Sequence, residues 1–124
     1  MHELGIMKHV VKGVLDAAES VNAEEIKSVT LMIGELRNFH QSWVQQYYDM
    51  LTKDSVIAGA KIIVETVPAT AHCMECDDIF RIDVHSHKEV CCPSCNSESY
   101  ELCTGNEIIL KNIELGGKQD EQEN

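Results

Sequence analysis

The spacing of apolar residues in the first third of the chain predicts one amphipathic helix followed by one strand. Over residues 4–21 the apolar side chains recur every three or four positions, which places them on one helical face. These positions are Leu4, Met7, Val11, Val14, Leu15 and Ala18. Glu3 is favourably placed near the amino-terminal end of this helix. Over residues 26–33 apolar positions alternate instead, at Val29, Leu31 and Ile33, and Gly34 ends the predicted strand.

The pattern beyond residue 40 predicts a second helix and two further strands. Ser42 is placed to cap this helix. Its inward stripe is predicted to comprise Trp43 or Val44, Tyr47, Met50 and Leu51. Residues 61–67 have the composition of a strand, which Pro68 closes, and residues 108–115 are another strong strand candidate.

Four cysteines form the pattern Cys73-x-x-Cys76 and Cys92-x-x-Cys95, with fifteen residues between the two pairs. Each C-x-x-C turn presents two thiolates to one ion, and two such turns complete a tetrahedral four-sulfur shell that suits Zn²⁺. A shell filled by protein ligands is typical of a structural zinc. A rubredoxin-like iron site uses the same four sulfurs, so the pattern leaves an electron carrier open. We expect Cys91 and Cys103 to be spare thiols.

The cysteine pairs mark a small module, at 69–107, that is predicted to be an insertion. Such a module is too short to be stable by burial alone, and the strand that follows it needs the larger sheet of the first domain as its partner. We therefore predict a first domain from residues 1–68 plus 108–117. The remaining residues, 118–124, are polar and without periodicity, which predicts a disordered acidic tail.

The composition narrows the functional class. The 21 acidic and 10 basic residues give a net charge of −11, and the bases are not clustered, which argues against nucleic acid as a partner. An acidic surface suits basic protein partners or cations. No apolar run approaches the ~20 residues of a membrane span, and the amino terminus has no signal-peptide pattern. These features predict a cytoplasmic protein with reduced cysteines.

The first two residues carry a second candidate metal site. Met1 offers its amine, and His2 offers an amide nitrogen and an imidazole, so two residues can chelate one cation through three nitrogens. Ni²⁺ and Cu²⁺ favour such nitrogen ligands in square-planar or tetragonal geometry, whereas Zn²⁺ does not. His85 or His87 of the module could supply a fourth ligand, but an exposed or capping histidine is the favoured interpretation of each. The alternative is a terminal histidine that is simply solvated.

Four segments, taken in order along the chain, closely resemble the HypA/HybF family of hydrogenase maturation nickel chaperones. They are MHELGIMKHVV, VTLMIGELRNF, GAKIIVETVPA and the paired C-x-x-C motifs, and together they cover nearly the whole chain. The resemblance implies that His2 is the principal nickel ligand, with the Met1 amine beside it and Glu3 next to the site. It also implies that the zinc ligands are Cys73, Cys76, Cys92 and Cys95.

The resemblance implies an α+β fold, with two helices packed on a three-stranded sheet as the nickel domain and an inserted small β zinc-ribbon-like domain. It further implies a transferable Ni²⁺ that is delivered to the large-subunit precursor of [NiFe]-hydrogenase, in cooperation with the GTPase HypB. Urease maturation factors are further implied partners. The chain itself shows no activated nucleophile and no phosphate-binding loop, so we do not expect an enzyme.

Two other properties stay open at this point. A zinc-ribbon interaction module without a transferable metal is the alternative to a nickel carrier. The protein is expected to be a monomer or a homodimer, since exchange of the last strand between two protomers is conceivable across an inserted module.

Overall fold

The computed structural model describes residues 2–86 and 88–116, apart from the side chain of His2. In chain order the elements are α1 (His2–Ser20), β1 (Ile26–Gly34), a 3₁₀-helix (Glu35–Arg37), α2 (Gln41–Thr52), β2 (Lys61–Val67), β3 (Thr70–Cys73), β4 (Ile79–Arg81), β5 (Tyr100–Thr104) and β6 (Ile108–Leu115). The strands form two three-stranded sheets, in the orders β2-β1-β6 and β4-β3-β5. The predicted α+β fold class is confirmed. The predicted tail at 118–124 lies outside the described residues.

The chain divides into two compact units. Unit 1 comprises the residues up to Leu31, Phe39–Glu65 and the residues from Ile109 onward, and unit 2 comprises Met32–Asn38 and Thr66–Ile108. The domain limits predicted from the sequence remain predictions, because compactness alone does not test them. Neither α-helix in the described part of the chain is long and apolar enough to cross a membrane.

Unit 1 has an apolar core built from positions with the predicted periods. On α1 the buried side chains succeed one another at intervals of four, three and four residues, and they are Met7, Val11, Val14 and Ala18. On β1 the fully buried Val29 and Leu31 are two residues apart. The helix α2 packs against α1. Full burial of one such side chain contributes roughly 1.5–3 kcal/mol, so packing holds these elements in place more than intrinsic propensity does.

The helix α2 differs from its predicted form at both its start and its buried face. The residue before the helix is His40, so Ser42 lies inside the first turn and the predicted cap is wrong. The buried side chains are Val44, Tyr48 and Thr52, whereas the predicted core residue Met50 is 60% exposed. Val44 is thus buried as predicted, whereas Trp43 and Tyr47 belong to a stack of rings, Phe39 on Trp43 and Trp43 on Tyr47, each with centroids 4.8 Å apart.

Tyr48 is the largest fully buried side chain of α2, and its hydroxyl is satisfied inside the protein. The hydroxyl donates to the carbonyl oxygen of Ile57 at 2.5 Å. Burial, with a smaller contribution from Asp49, raises the pKa of Tyr48 from 10.0 to about 12. The fold therefore favours the protonated phenol.

This shift predicts a loss of stability at alkaline pH. The contribution of Tyr48 is fully present below pH 10 and is lost as the pH rises through about 12, because the unfolded chain releases the proton first. The loss is on the order of 3 kcal/mol. In Tyr48→Phe we expect a lower free energy of unfolding at pH 7, by about 1–3 kcal/mol for the unpaired Ile57 carbonyl, and a shallower decline above pH 10. Denaturant unfolding across this pH range measures both, and parallel curves for the two proteins would contradict the assignment.

The 3₁₀-helix after β1 was not predicted, and it is fixed by contacts within unit 2. The Gly34 N–H donates to the backbone carbonyl of Glu107 at 2.7 Å, and the Leu36 N–H donates to the backbone carbonyl of Gly105 at 2.8 Å. A side chain at Gly34 would overlap the backbone of Gly105, which has φ +120°, so both positions need glycine. The Glu35 carboxylate accepts a hydrogen bond from the Ala69 N–H at 2.9 Å. This bond and the charge of the Arg81 guanidinium lower the pKa of Glu35, although partial desolvation acts in the opposite direction.

Candidate metal centre

Both C-x-x-C segments fold into the same backbone turn. In the first turn, Asp77 N–H donates to the Cys73 carbonyl at 3.0 Å and Cys73 N–H donates to the Asp78 carbonyl at 2.8 Å. In the second turn, the equivalent bonds join Asn96 to Cys92 at 2.7 Å and Cys92 to Ser97 at 2.8 Å. The two turns are therefore related residue by residue.

The residue after each second cysteine closes its turn in the left-handed conformation. Asp77 has φ +64° and Asn96 has φ +63°. Asp and Asn are the residues other than glycine that best tolerate this conformation. Their position one residue after Cys76 and Cys95 was a sequence signal for the turns that the spacing argument missed.

The two turns bring four sulfur atoms together. The ligand atoms of Cys73, Cys76, Cys92 and Cys95 all lie within 4.8 Å of one another. The Sγ atoms of Cys73 and Cys95 are 3.6 Å apart, as are those of Cys76 and Cys92. A tetrahedral zinc site with Zn–S bonds of about 2.3 Å has sulfurs about 3.8 Å apart. The donor set and its spacing therefore fit Zn²⁺.

Half of the cluster belongs to the core of unit 2. Cys73 and Cys92 are fully buried, in one apolar cluster with Ala69, Ala71, Phe80 and Ile82. Cys76 and Cys95 are exposed. Cys73 ends β3, which pairs with β4 and β5, so the small sheet places the first turn directly. The core of this unit and the sulfur cluster thus depend on each other.

The electrostatics of the cluster favour a bound cation. The backbone N–H groups of Cys76 and Glu75 lower the pKa of Cys73 to about 7. The Asp78 N–H favours a thiolate at Cys76, but desolvation and the neighbouring thiols outweigh it and raise the pKa of Cys76 to about 12. The Cys73 thiolate therefore forms readily, whereas ionisation of Cys76 is favoured only when a cation offsets its charge.

The other candidate ligands lie elsewhere. Within the described residues, the four-sulfur cluster includes neither His85 nor the exposed Cys91 and Cys103. His85 instead lines a cleft of unit 2 with Glu35, Arg81, Ile82 and Asp83. His87 is outside the described residues. Whether either histidine approaches a metal therefore stays as open as the sequence left it.

The amino-terminal residues begin the first helix. The backbone of His2 starts α1, and Glu3 lies half-buried in its first turn. Met1 and the side chain of His2 lie outside the described residues. The predicted nickel ligands consequently remain an inference from the sequence.

Comparison with known proteins identifies the family. The family model described as "Hydrogenase/urease nickel incorporation, metallochaperone, hypA" matches residues 1–115. The chain belongs to the HypA family. The resemblance that the sequence motifs predicted is thus confirmed, and with it membership of a nickel metallochaperone family.

Individual relatives support the same assignment. The chain is 30% identical over 115 residues to the hydrogenase maturation factor HypA of Dehalococcoides mccartyi, covering 93% of this chain and 94% of the relative. It is 31% identical to that of Methanothermobacter thermautotrophicus, covering 95% and 99% of the two chains. The solution structure of the Ni metallochaperone HypA from Helicobacter pylori superposes with a TM-score of 0.65 at 19% identity, covering 91% of this chain and 96% of that chain. This last likeness supports the fold alone.

Proposed function

We propose that this protein binds Ni²⁺ at its amino terminus and delivers it for insertion into the large-subunit precursor of [NiFe]-hydrogenase. The observation that carries the proposal is the match to a nickel-incorporation family that begins at residue 1 and runs to residue 115. The sequence relatives described above are hydrogenase maturation factors, which supports a carrier rather than an enzyme.

The proposed nickel ligands are the Met1 amine and the amide and imidazole nitrogens of His2, with Glu3 next to the site. These nitrogens close a five-membered and then a six-membered chelate ring on one ion. A terminal chelate also suits transfer, because the end of a chain can dissociate stepwise as an acceptor presents its own ligands. All three nitrogens lose protons on binding, so nickel affinity falls as the pH decreases.

The proposed resident metal is a structural Zn²⁺ held by Cys73, Cys76, Cys92 and Cys95. The sulfur spacing described above supports zinc, and four protein ligands leave no coordination position for a substrate. When bound, zinc would cross-link the two turns and offset two of the four thiolate charges. The protein's own contribution is a set of backbone N–H donors and a small apolar core around the buried pair of ligands.

The proposed partners follow from the same family assignment. They are the GTPase HypB, the hydrogenase large-subunit precursor and urease maturation factors, in the cytoplasm. The family description, which joins hydrogenase and urease, supports both clients. The net charge of −11 gives no support to nucleic acid as a partner. The carrier is proposed to act as a monomer or a homodimer.

A nickel titration with a native and a blocked amino terminus tests this proposal. We expect zinc-loaded, untagged protein to bind about one Ni²⁺ per chain with the absorption of a nitrogen-rich site, more tightly at pH 8 than at pH 6. The same protein extended by Gly-Ser before Met1 should lose this site, because its terminal amine is displaced. Equal nickel binding by both forms would show that the terminus is incidental and would favour a zinc-ribbon interaction module. Metal analysis of the purified protein, with zinc and no iron, separates the carrier from a rubredoxin-like protein.

A further inference from the structure

The strand β2 is an edge strand, with β1 on one side and, among the residues that the structure describes, no strand on the other. The N–H and C=O groups of alternate residues point to the outer side of such a strand. Unpaired groups in this position form a ready template for pairing with another chain. Unless the protein associates through this strand, the outer backbone groups of β2 therefore need other partners that keep a second chain from pairing with them.

Two glutamines of α2 occupy the outer side of β2. The amide of Gln45 donates to the Ala60 carbonyl at 3.1 Å and accepts the Ile62 N–H at 2.8 Å. The amide of Gln41 donates to the Ile62 carbonyl and accepts the Val64 N–H at 3.0 Å. Each side-chain amide thus takes the place of one peptide group of a neighbouring strand.

The fit has a geometric reason. Residues four apart on a helix are about 6 Å apart along its axis, and two residues of a strand span about 6.6 Å. The distance between Gln41 and Gln45 along the helix therefore matches the distance between alternate residues of β2. Asp49 continues the row, since its carboxylate accepts a bond from Gln45 Nε2 at 2.9 Å and fixes the orientation of that amide. Gln46 of the same helix is exposed.

We propose that Gln41 and Gln45 form an edge lock, which prevents β2 from pairing with β2 of a second copy of this chain. The lock satisfies four backbone groups that a neighbouring strand would otherwise satisfy. A second copy is the expected occupant of an unlocked edge, because two identical edges are complementary when a two-fold axis relates them. Neither glutamine is a proposed ligand of nickel or of zinc.

The double variant Gln41→Ala/Gln45→Ala tests the edge lock, with Gln46→Ala as the matched control. Alanine removes the amide and still favours the helix. In the double variant we expect the mass measured by light scattering to rise with protein concentration above the mass of wild type at the same concentration, toward twice that wild-type mass. The control should behave as wild type does. A double variant with the wild-type mass at every concentration would overturn the proposal.

A second substitution locates the new contact. Ile63 lies on β2 and is 38% exposed, and a lysine on an edge strand opposes pairing by charge. Adding Ile63→Lys to the double variant should restore the wild-type mass, and association that persists would show that β2 is not the contact. If circular dichroism shows that the double variant has lost its helices, Gln45→Ala alone replaces it. That single variant should then show weaker association of the same kind, and a wild-type mass would overturn the proposal.

Discussion

Replacement of Cys92 by serine is expected to abolish zinc binding and to unfold the small sheet of unit 2. Cys92 is a fully buried member of both the sulfur cluster and the apolar core, so its loss removes a ligand and a core contact together. Structural zinc contributes an apparent free energy of about 10–16 kcal/mol in small zinc modules at neutral pH. The six buried residues that the structure describes in this core cannot replace a stabilisation of that size.

The adjacent Cys91 provides the control for this experiment. Cys91 is exposed and is not part of the sulfur cluster, so Cys91→Ser should keep one zinc per chain. Metal analysis gives the zinc content, and amide hydrogen exchange over β3, β4 and β5 reports the sheet. We expect Cys92→Ser to lose both zinc and exchange protection. Stoichiometric zinc and unchanged protection in Cys92→Ser would mean that the four sulfurs are not the ligand set.

Replacement of His2 by glutamine is expected to lower nickel affinity at least about 100-fold. Loss of even an outer partner of a metal ligand costs 10–100-fold in affinity, and the imidazole is proposed to bind the ion directly. Glutamine is preferable to alanine here, because a small second residue promotes removal of the initiator methionine. With glutamine the Met1 amine and the backbone amide remain, and only the imidazole is lost.

The control for His2 is the exposed His9, which lies about two turns further along α1. His9→Gln should bind nickel as wild type does. Calorimetric titration of zinc-loaded, untagged proteins measures the affinities, and mass spectrometry verifies that Met1 is retained. If His2→Gln and His9→Gln lowered nickel affinity equally, the imidazole of His2 would have no special role.

The local periodicity of apolar residues was sufficient to predict both α-helices and the three strands of the larger sheet. The strands Lys61–Val67 and Ile108–Leu115 agree with their predicted limits, and α1 differs from its prediction by one or two residues at each end. The prediction was poorer for α2, because its sequence carries two apolar stripes. Both the ring stack that includes Trp43 and the buried row that includes Val44 repeat every four residues. Only packing against other elements decides which row is buried.

The candidate sites divide in the same way. The C-x-x-C spacing indicated the four sulfurs, because each pair is made by one local turn, and the structure brings the two pairs within 4.8 Å. The proposed nickel site remains a statement about the sequence, since Met1 and the side chain of His2 lie outside the described residues. The pairing of Gln41 and Gln45 with β2 was not predicted, since two polar residues on a helix carry no signal of a strand edge.

The sequence by itself determined the periods of α1, β1, β2 and β6, the spacing of the two cysteine pairs, the net negative charge and the resemblance to the family. These properties depend on backbone geometry and residue chemistry within short segments, so they can be recognised in the sequence alone. The tertiary structure decided which face of α2 is buried, which two cysteines join the core, and how Gly34 and Gly105 meet. Those outcomes depend on segments that are far apart in the chain and come together only on folding, so no local pattern records them.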